Sequence, residues 1–108
     1  MTEVKTPPAH PGEVLGYELF RRGLNQRQAA RLLGVSYALI GRIINGMHGV
    51  STTLAYRLEL AGVGAAVEWL AWQAEYDLWR VSFLNFSDVQ PFPPPFVTAP
   101  EPVYAIGD

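Results

Sequence analysis

Six arginines, Arg21, Arg22, Arg27, Arg31, Arg42 and Arg57, fall between residues 19 and 58 of this 108-residue chain, with no acid among them. Guanidinium groups gathered without counter-charges have one chemistry in common. They bind phosphate through paired N–H donors, and inside a groove of duplex DNA they pair bidentately with guanine O6 and N7. From residue 59 onward the balance inverts, with seven acids against Arg80. The formal net charge of −2 therefore hides a basic module followed by an acidic half. Salt confines a surface charge to about 8–10 Å, so the local excess governs attraction to a polyanion.

Catalysis has little to work with. The absence of cysteine excludes disulfides, thiolate metal sites and thiol nucleophiles, and fits a reducing compartment. The two histidines, His10 and His48, lie far apart in the sequence, and two isolated imidazoles do not make a metal site. Glu75 and Asp77 are two residues apart and point to different sides of a helix, which prevents them from acting as an acid/base pair. No Gly-rich phosphate loop followed by Lys and Ser or Thr is present. We therefore expect a non-enzyme with no catalytic residue, no metal and no cofactor. No leader or apolar run of about 18 residues is visible, which predicts a soluble, cytoplasmic chain with no membrane partner.

The arginines need helices to position them, and the spacing supplies these. Asn25 can cap a helix, with Gln28 three residues on completing a capping box. Ala29, Leu32 and Leu33 then share a face, and Gly34 stops the helix as a left-handed residue would. Val35 plugs the turn, Ser36 caps a second helix, and Ile40, Ile43 and Ile44 anchor it up to Gly46. Two short helices joined through a glycine turn form a helix-turn-helix, which sets its second helix into a major groove. The expected helices span about 26–33 and 37–45. Before them, a helix from near Pro11 to Gly23 buries Val14, Leu15, Leu19 and Phe20. After them, Ser51 caps a helix to Gly62 with Leu54, Leu58 and Ala61 on its apolar stripe, and a fifth helix covers about 64–80.

The fifth helix is apolar on two opposed faces. At about 100° per residue, Val67, Leu70, Ala71, Ala74, Leu78 and Val81 share one face, and Trp69, Trp72, Tyr76 and Trp79 cluster on the other. We expect the first face to pack on the four preceding helices. The aromatic face then needs a second partner, and Trp69, Trp72, Tyr76 and Trp79 are read as a homodimer interface. A tail folded back over the rings, or a bound protein partner, are the other readings. From Ser87 the chain turns proline-rich, through Pro91, Pro93, Pro94, Pro95, Pro100 and Pro102, with Phe92 and Phe96 interleaved. Such a segment favours extended polyproline geometry. It can be a disordered extension, a ligand for an aromatic-lined groove, or a strap packed on helix five.

Three blocks carry a family resemblance. Gln26, Ala29–Ala30, Leu33-Gly34-Val35-Ser36, Ile40, Arg42-Ile43 and Asn45-Gly46 resemble the helix-turn-helix of phage-repressor (Xre) type regulators. His10-Pro11-Gly12-Glu13-Val14-Leu15 upstream, and the aromatic, acidic run from Glu68 to Trp79 downstream, narrow the resemblance to HigA/VapI-type antitoxins. It covers roughly residues 9 to 80. It implies an all-α, five-helix phage-repressor-like domain, followed here by a proline-rich, non-regular tail. The organisation expected is an N-terminal arm at 1–10, a DNA-binding domain at 11–62, a dimerisation helix at 63–86 and the tail at 87–108.

With the isoleucines inward, Tyr37, Ala38, Leu39, Gly41 and Arg42 face out. In the family the corresponding early positions and that of Arg42 touch base edges. Arg42 suits guanine, and Tyr37, Ala38 and Leu39 suit thymine methyl groups. Gln26, at the positive end of its helix, together with Ser36, Asn45 and His48, are expected phosphate contacts. Arg27 and Arg31 lie on the outer side of their helix; Arg27 joins the DNA-binding set, with exposure to solvent alone as the other reading for both. Where these antitoxins often carry a basic pair after Asn-Gly, this chain has Met47-His48, and Gly41 replaces a small polar residue. Both changes weaken binding per monomer and make dimerisation more important. The resemblance further implies double-stranded operator DNA and a small, basic, RNA-cleaving RelE/HigB-like toxin as partners. A solitary regulator from a phage or mobile element, or an interaction protein that has lost operator binding, are the alternatives.

Overall fold

The computed structural model describes residues 7–97. Its five helices are α1 (Pro11–Arg21), α2 (Gln26–Leu33), α3 (Tyr37–Ile44), α4 (Thr52–Leu60) and α5 (Ala66–Val81), and no strand occurs among the described residues. Part of the expected arm (1–6) and of the expected tail (98–108) lies outside them.

Each helix starts where a side chain or neighbour can satisfy its first amides. At α2 the capping box forms in full: Gln28 N–H donates to Asn25 Oδ1 (2.8 Å) and Asn25 N–H donates to Gln28 Oε1 (2.9 Å). Ser36 accepts from Leu39 N–H (3.0 Å) at α3, and Ser51 from Leu54 N–H (3.2 Å) at α4. At α1 the cap is His10, an uncommon choice. Its Nδ1 accepts from Gly12 N–H at 2.8 Å, and Glu13 closes the box on the His10 amide. Helix α5 has no capping side chain of its own, and Ala66 N–H reaches back to Glu59 Oε1 on α4 (2.8 Å).

The helices close on one core made of Leu15, Leu19, Ala29, Ala30, Leu33, Ile40, Ile43, Val50, Leu54, Ala55, Leu58 and Trp69. Most of these positions follow from helical periodicity. Three expectations fail. Leu32, Phe20 and Ala61 are exposed, because each sits at the edge of its stripe where no neighbouring helix reaches. Gly12 sets the approach of α1 to α3: a Cβ there would stand 1.8 Å from the Ile43 carbonyl oxygen. Gly34 ends α2 at φ 72°, in the left-handed region that glycine adopts without steric cost. Its neighbour Arg57 reaches from α4 to donate to the Leu33 carbonyl (3.1 Å), satisfying an orphan acceptor at the end of α2.

The orientation of α5 is largely opposite to the one expected, with Leu70 of the expected inward face still packing on the core. Trp69 is the largest fully buried side chain and donates its Nε1–H to the Val63 carbonyl, so it is core and not dimer surface. Trp72, Tyr76 and Trp79 are half-buried along the same inward face. Trp69 meets Trp72 edge-on (centroids 5.1 Å), Tyr76 meets His10 edge-on (4.7 Å), and Trp79 meets Phe83 (5.3 Å). The reason is area. An aromatic ring removes more apolar surface from water than a valine or alanine does, and the Trp69 N–H finds a partner when buried. The Val67–Val81 face is the one left open, with Val67 73% and Leu78 67% exposed. The described part of the tail does not return to α5: Phe92 is 95% exposed and Phe96 fully so.

Candidate nucleic-acid interface

Helices α2 and α3 begin side by side in function: each N-terminus carries uncommitted amides, and each is capped by a side chain that leaves its first residue facing outward. Gln26 and Arg27 open α2, and Tyr37 and Ala38 open α3. Arg27 lays its guanidinium over the Tyr37 ring, 4.4 Å from the centroid. Gln26 runs across to α3 one turn further on, where its Oε1 would lie 3.4 Å from a Cβ at Gly41. Gly41 thus leaves room for the Gln26 amide. Gln26, Arg27, Tyr37 and Gly41 form one surface, with the exposed Ala38 and Arg42 on the same helix.

Not every expected contact lies there. Leu39 is half-buried and packs against the core, so only part of its side chain faces solvent. Ser36 uses its oxygen to cap α3, leaving its hydroxyl hydrogen as a donor. Asn45 is exposed at the C-cap of α3. His48 is exposed in the α3–α4 loop, its Nδ1 2.7 Å from the Gly49 carbonyl. That hydrogen bond makes Nδ1 the protonated nitrogen of the neutral ring and leaves Nε2 outward.

The six arginines separate into two groups. Arg21 and Arg22 pair with Glu18, and Arg57 caps α2. Arg31 and Arg42 have no ion pair among the described residues, and Arg27 contacts only the Tyr37 ring. The positive field at the helix-turn-helix therefore comes from Arg27, Arg31 and Arg42, with Arg57, whose charge the Leu33 carbonyl does not neutralise, at the turn.

The loop carrying His48 is held by a residue that sequence reasoning missed. Gln73 of α5 accepts the Val50 N–H through Oε1 (2.7 Å) and donates from Nε2 to Asp77 Oδ1 (2.9 Å). A Cβ at Gly49 would stand 2.9 Å from the Gln73 side chain, so the loop is glycine where it crosses α5. The missed signal was the Gly49 backbone, which needs a close neighbour. His10 also lay outside the expected set. Burial pushes its imidazole below the usual histidine range, against the opposing pull of Asp77 and Glu13, with Arg80 adding to the depression. No group of three or more His, Cys, Asp or Glu side chains among the described residues is placed to hold a metal, and no helix among them is long and apolar enough to cross a membrane.

This arrangement is that of a helix-turn-helix regulator, and a family model described as "Helix-turn-helix" matches residues 18–61. The chain is 42% identical over 79 residues to Virulence-associated protein A' of Dichelobacter nodosus, covering 72% of this chain and 68% of that protein. An addiction module antidote protein of the HigA family from Coxiella burnetii superposes with a TM-score of 0.69 at 28% identity, covering 81% of this chain and 100% of the other. The Pseudomonas aeruginosa antitoxin HigA, solved with the higBA promoter, gives 0.66 at 33% identity over 68% and 82% of the two chains. The chain belongs to the phage-repressor-type helix-turn-helix family, in its HigA-like antitoxin branch. The family is one of DNA-binding regulators and antitoxins, not of enzymes.

Proposed function

We propose that this chain is the antitoxin of a type II toxin–antitoxin pair, which represses its own operon by binding operator DNA as a homodimer and neutralises an RNA-cleaving toxin by direct contact. The observation that carries the DNA part is the continuous surface of Gln26, Arg27, Tyr37, Gly41 and Arg42, free of acids and fronted by two helix N-termini. Arg42 is assigned to a guanine edge and Tyr37 with Ala38 to thymine methyls. Gln26, Ser36, Asn45 and His48 are assigned to phosphates. A relative solved with its promoter, at 33% identity, supports the same role here.

Dimerisation is assigned to the outer face of α5. Val67, Ala71, Ala74, Leu78 and Val81 repeat at intervals of four and three residues along it and are exposed. The central alanines allow a second helix to approach closely, with Val67 and Leu78 packing at the ends. Two-fold pairing presents two copies of α3 to half-sites about one helical turn apart. The toxin is expected to be small and basic, attracted by the acids of residues 59–108.

The test is a mobility shift of the purified protein on its own upstream region, at two salt concentrations with nonspecific competitor. A sequence-specific shift that weakens with salt is expected, as is co-purification with the product of an adjacent small reading frame. Specific binding without any such neighbour favours a solitary regulator. No shift from a folded dimer removes the operator reading.

A further inference from the structure

The Arg27–Tyr37 contact ties the first turn of α2 to the first residue of α3, and it is the one interaction of the Arg27 guanidinium among the described residues. A phosphate-seeking arginine on a mobile side chain has no need of such a seat. A guanidinium held over a ring face spends no N–H donor on it, and those of Arg27 make no hydrogen bond among the described residues. Tyr37 in turn is 48% exposed, so roughly half of its surface is left for a ligand. No other aromatic ring stacks on Tyr37 among the described residues, so Arg27 is the cation that meets its face. Gly41, one turn further along α3, adds no side chain to restrain it, and the space there belongs to Gln26.

We propose that Arg27 is a positioning residue for sequence readout: by stacking on Tyr37 it fixes the ring at the mouth of α3, where the ring edge packs on one thymine methyl of the operator. This rests on the operator-binding reading and adds to it which residue pair confers a base preference, and how. The free edge of Arg27 remains available to the adjacent phosphate, so one side chain serves both contacts. Arg27→Lys separates them. Lysine keeps the charge but replaces a planar fork with a compact ammonium on a flexible stem, which does not hold a ring in register.

The experiment uses the full chain and a duplex selected from a random pool by the wild-type protein. Each thymine is replaced singly by deoxyuridine, which removes only the methyl. The wild type is expected to lose about threefold to fivefold in affinity at one thymine per half-site, the worth of one buried methyl. Tyr37→Ala is expected to bind thymine and uracil duplexes alike at that position. Arg27→Lys is expected to lose most of the same discrimination while keeping the wild-type salt dependence, and adding Tyr37→Ala to it should remove no more. Thermal melting of each variant confirms the fold.

Discrimination unchanged in Arg27→Lys would overturn the positioning role and leave Arg27 a phosphate contact. Discrimination unchanged in Tyr37→Ala, or no methyl-dependent position at all, would overturn the readout itself. Failure of the wild type to select any duplex would be a different result: it would remove operator binding, and this inference with it.

Discussion

At the residue scale, identical side chains in one basic module do different things. Arg57 has its guanidinium on the Leu33 carbonyl, whereas Arg42 stands open on α3 without an ion pair among the described residues. The two substitutions should therefore dissociate. Arg42→Ala is expected to weaken operator binding by about 1–3 kcal/mol with little change in thermal stability. Arg57→Ala is expected to cost about 1 kcal/mol of stability by orphaning an acceptor at the end of α2, with operator affinity per folded molecule nearly unchanged. Paired denaturation and binding titrations would expose the opposite pattern if these roles are misassigned. Sequence alone showed that the arginines form a basic run. Which of them face solvent depends on contacts from residues 24 positions away, and no periodicity within one helix reports that.

At the element scale, helix starts were the most legible feature, because a cap is a local device: Asn25, Ser36 and Ser51 all sit where their spacing placed them. His10 was less legible, since imidazole is an unusual cap, and it carries a pH consequence. Its Nδ1 must stay unprotonated to accept the Gly12 amide, and burial depresses its basicity. The unfolded chain takes up the proton first, below about pH 6.5. Stability is therefore full above that pH and falls as the pH drops toward the lower folded value. His10→Asn keeps an acceptor without the titration, and its unfolding free energy should lose less between pH 7 and pH 5.5 than that of the wild type. A parallel decline in both would assign the acid sensitivity to other groups.

Helix α5 was the least legible element. Two opposed apolar faces give periodicity no means of choosing, and only packing against the other four helices sets the rings inward. The dimer is therefore tested on the outer face of α5. Val67→Glu combined with Leu78→Glu should yield folded monomers in sedimentation, because both side chains are exposed in the monomer. Dimers that survive both charges would put the interface elsewhere. Trp69→Glu is expected to unfold the domain, since it would bury an unpaired carboxylate in the core.

At the scale of the whole molecule, the described tail contributes nothing to the core. Phe92 and Phe96 stand clear of the helices, so removing residues 88–108 should leave the melting temperature and the helical content unchanged. A large drop in melting temperature would mean that the tail shields apolar surface after all. The basic and acidic halves inferred from charge also correspond to different work. The arginines of α2 and α3 front the candidate DNA surface, while exposed acids such as Glu68 and Glu75 flank the open stripe of α5.

Trp69 lies beyond the 18–61 segment that marks the family, yet it is the largest side chain in the core. A chain cut short before α5 would keep the whole helix-turn-helix in its sequence and still lack the piece that fills its centre. A fragment ending before α5 is therefore expected to melt far below the full chain, which thermal denaturation of the two checks.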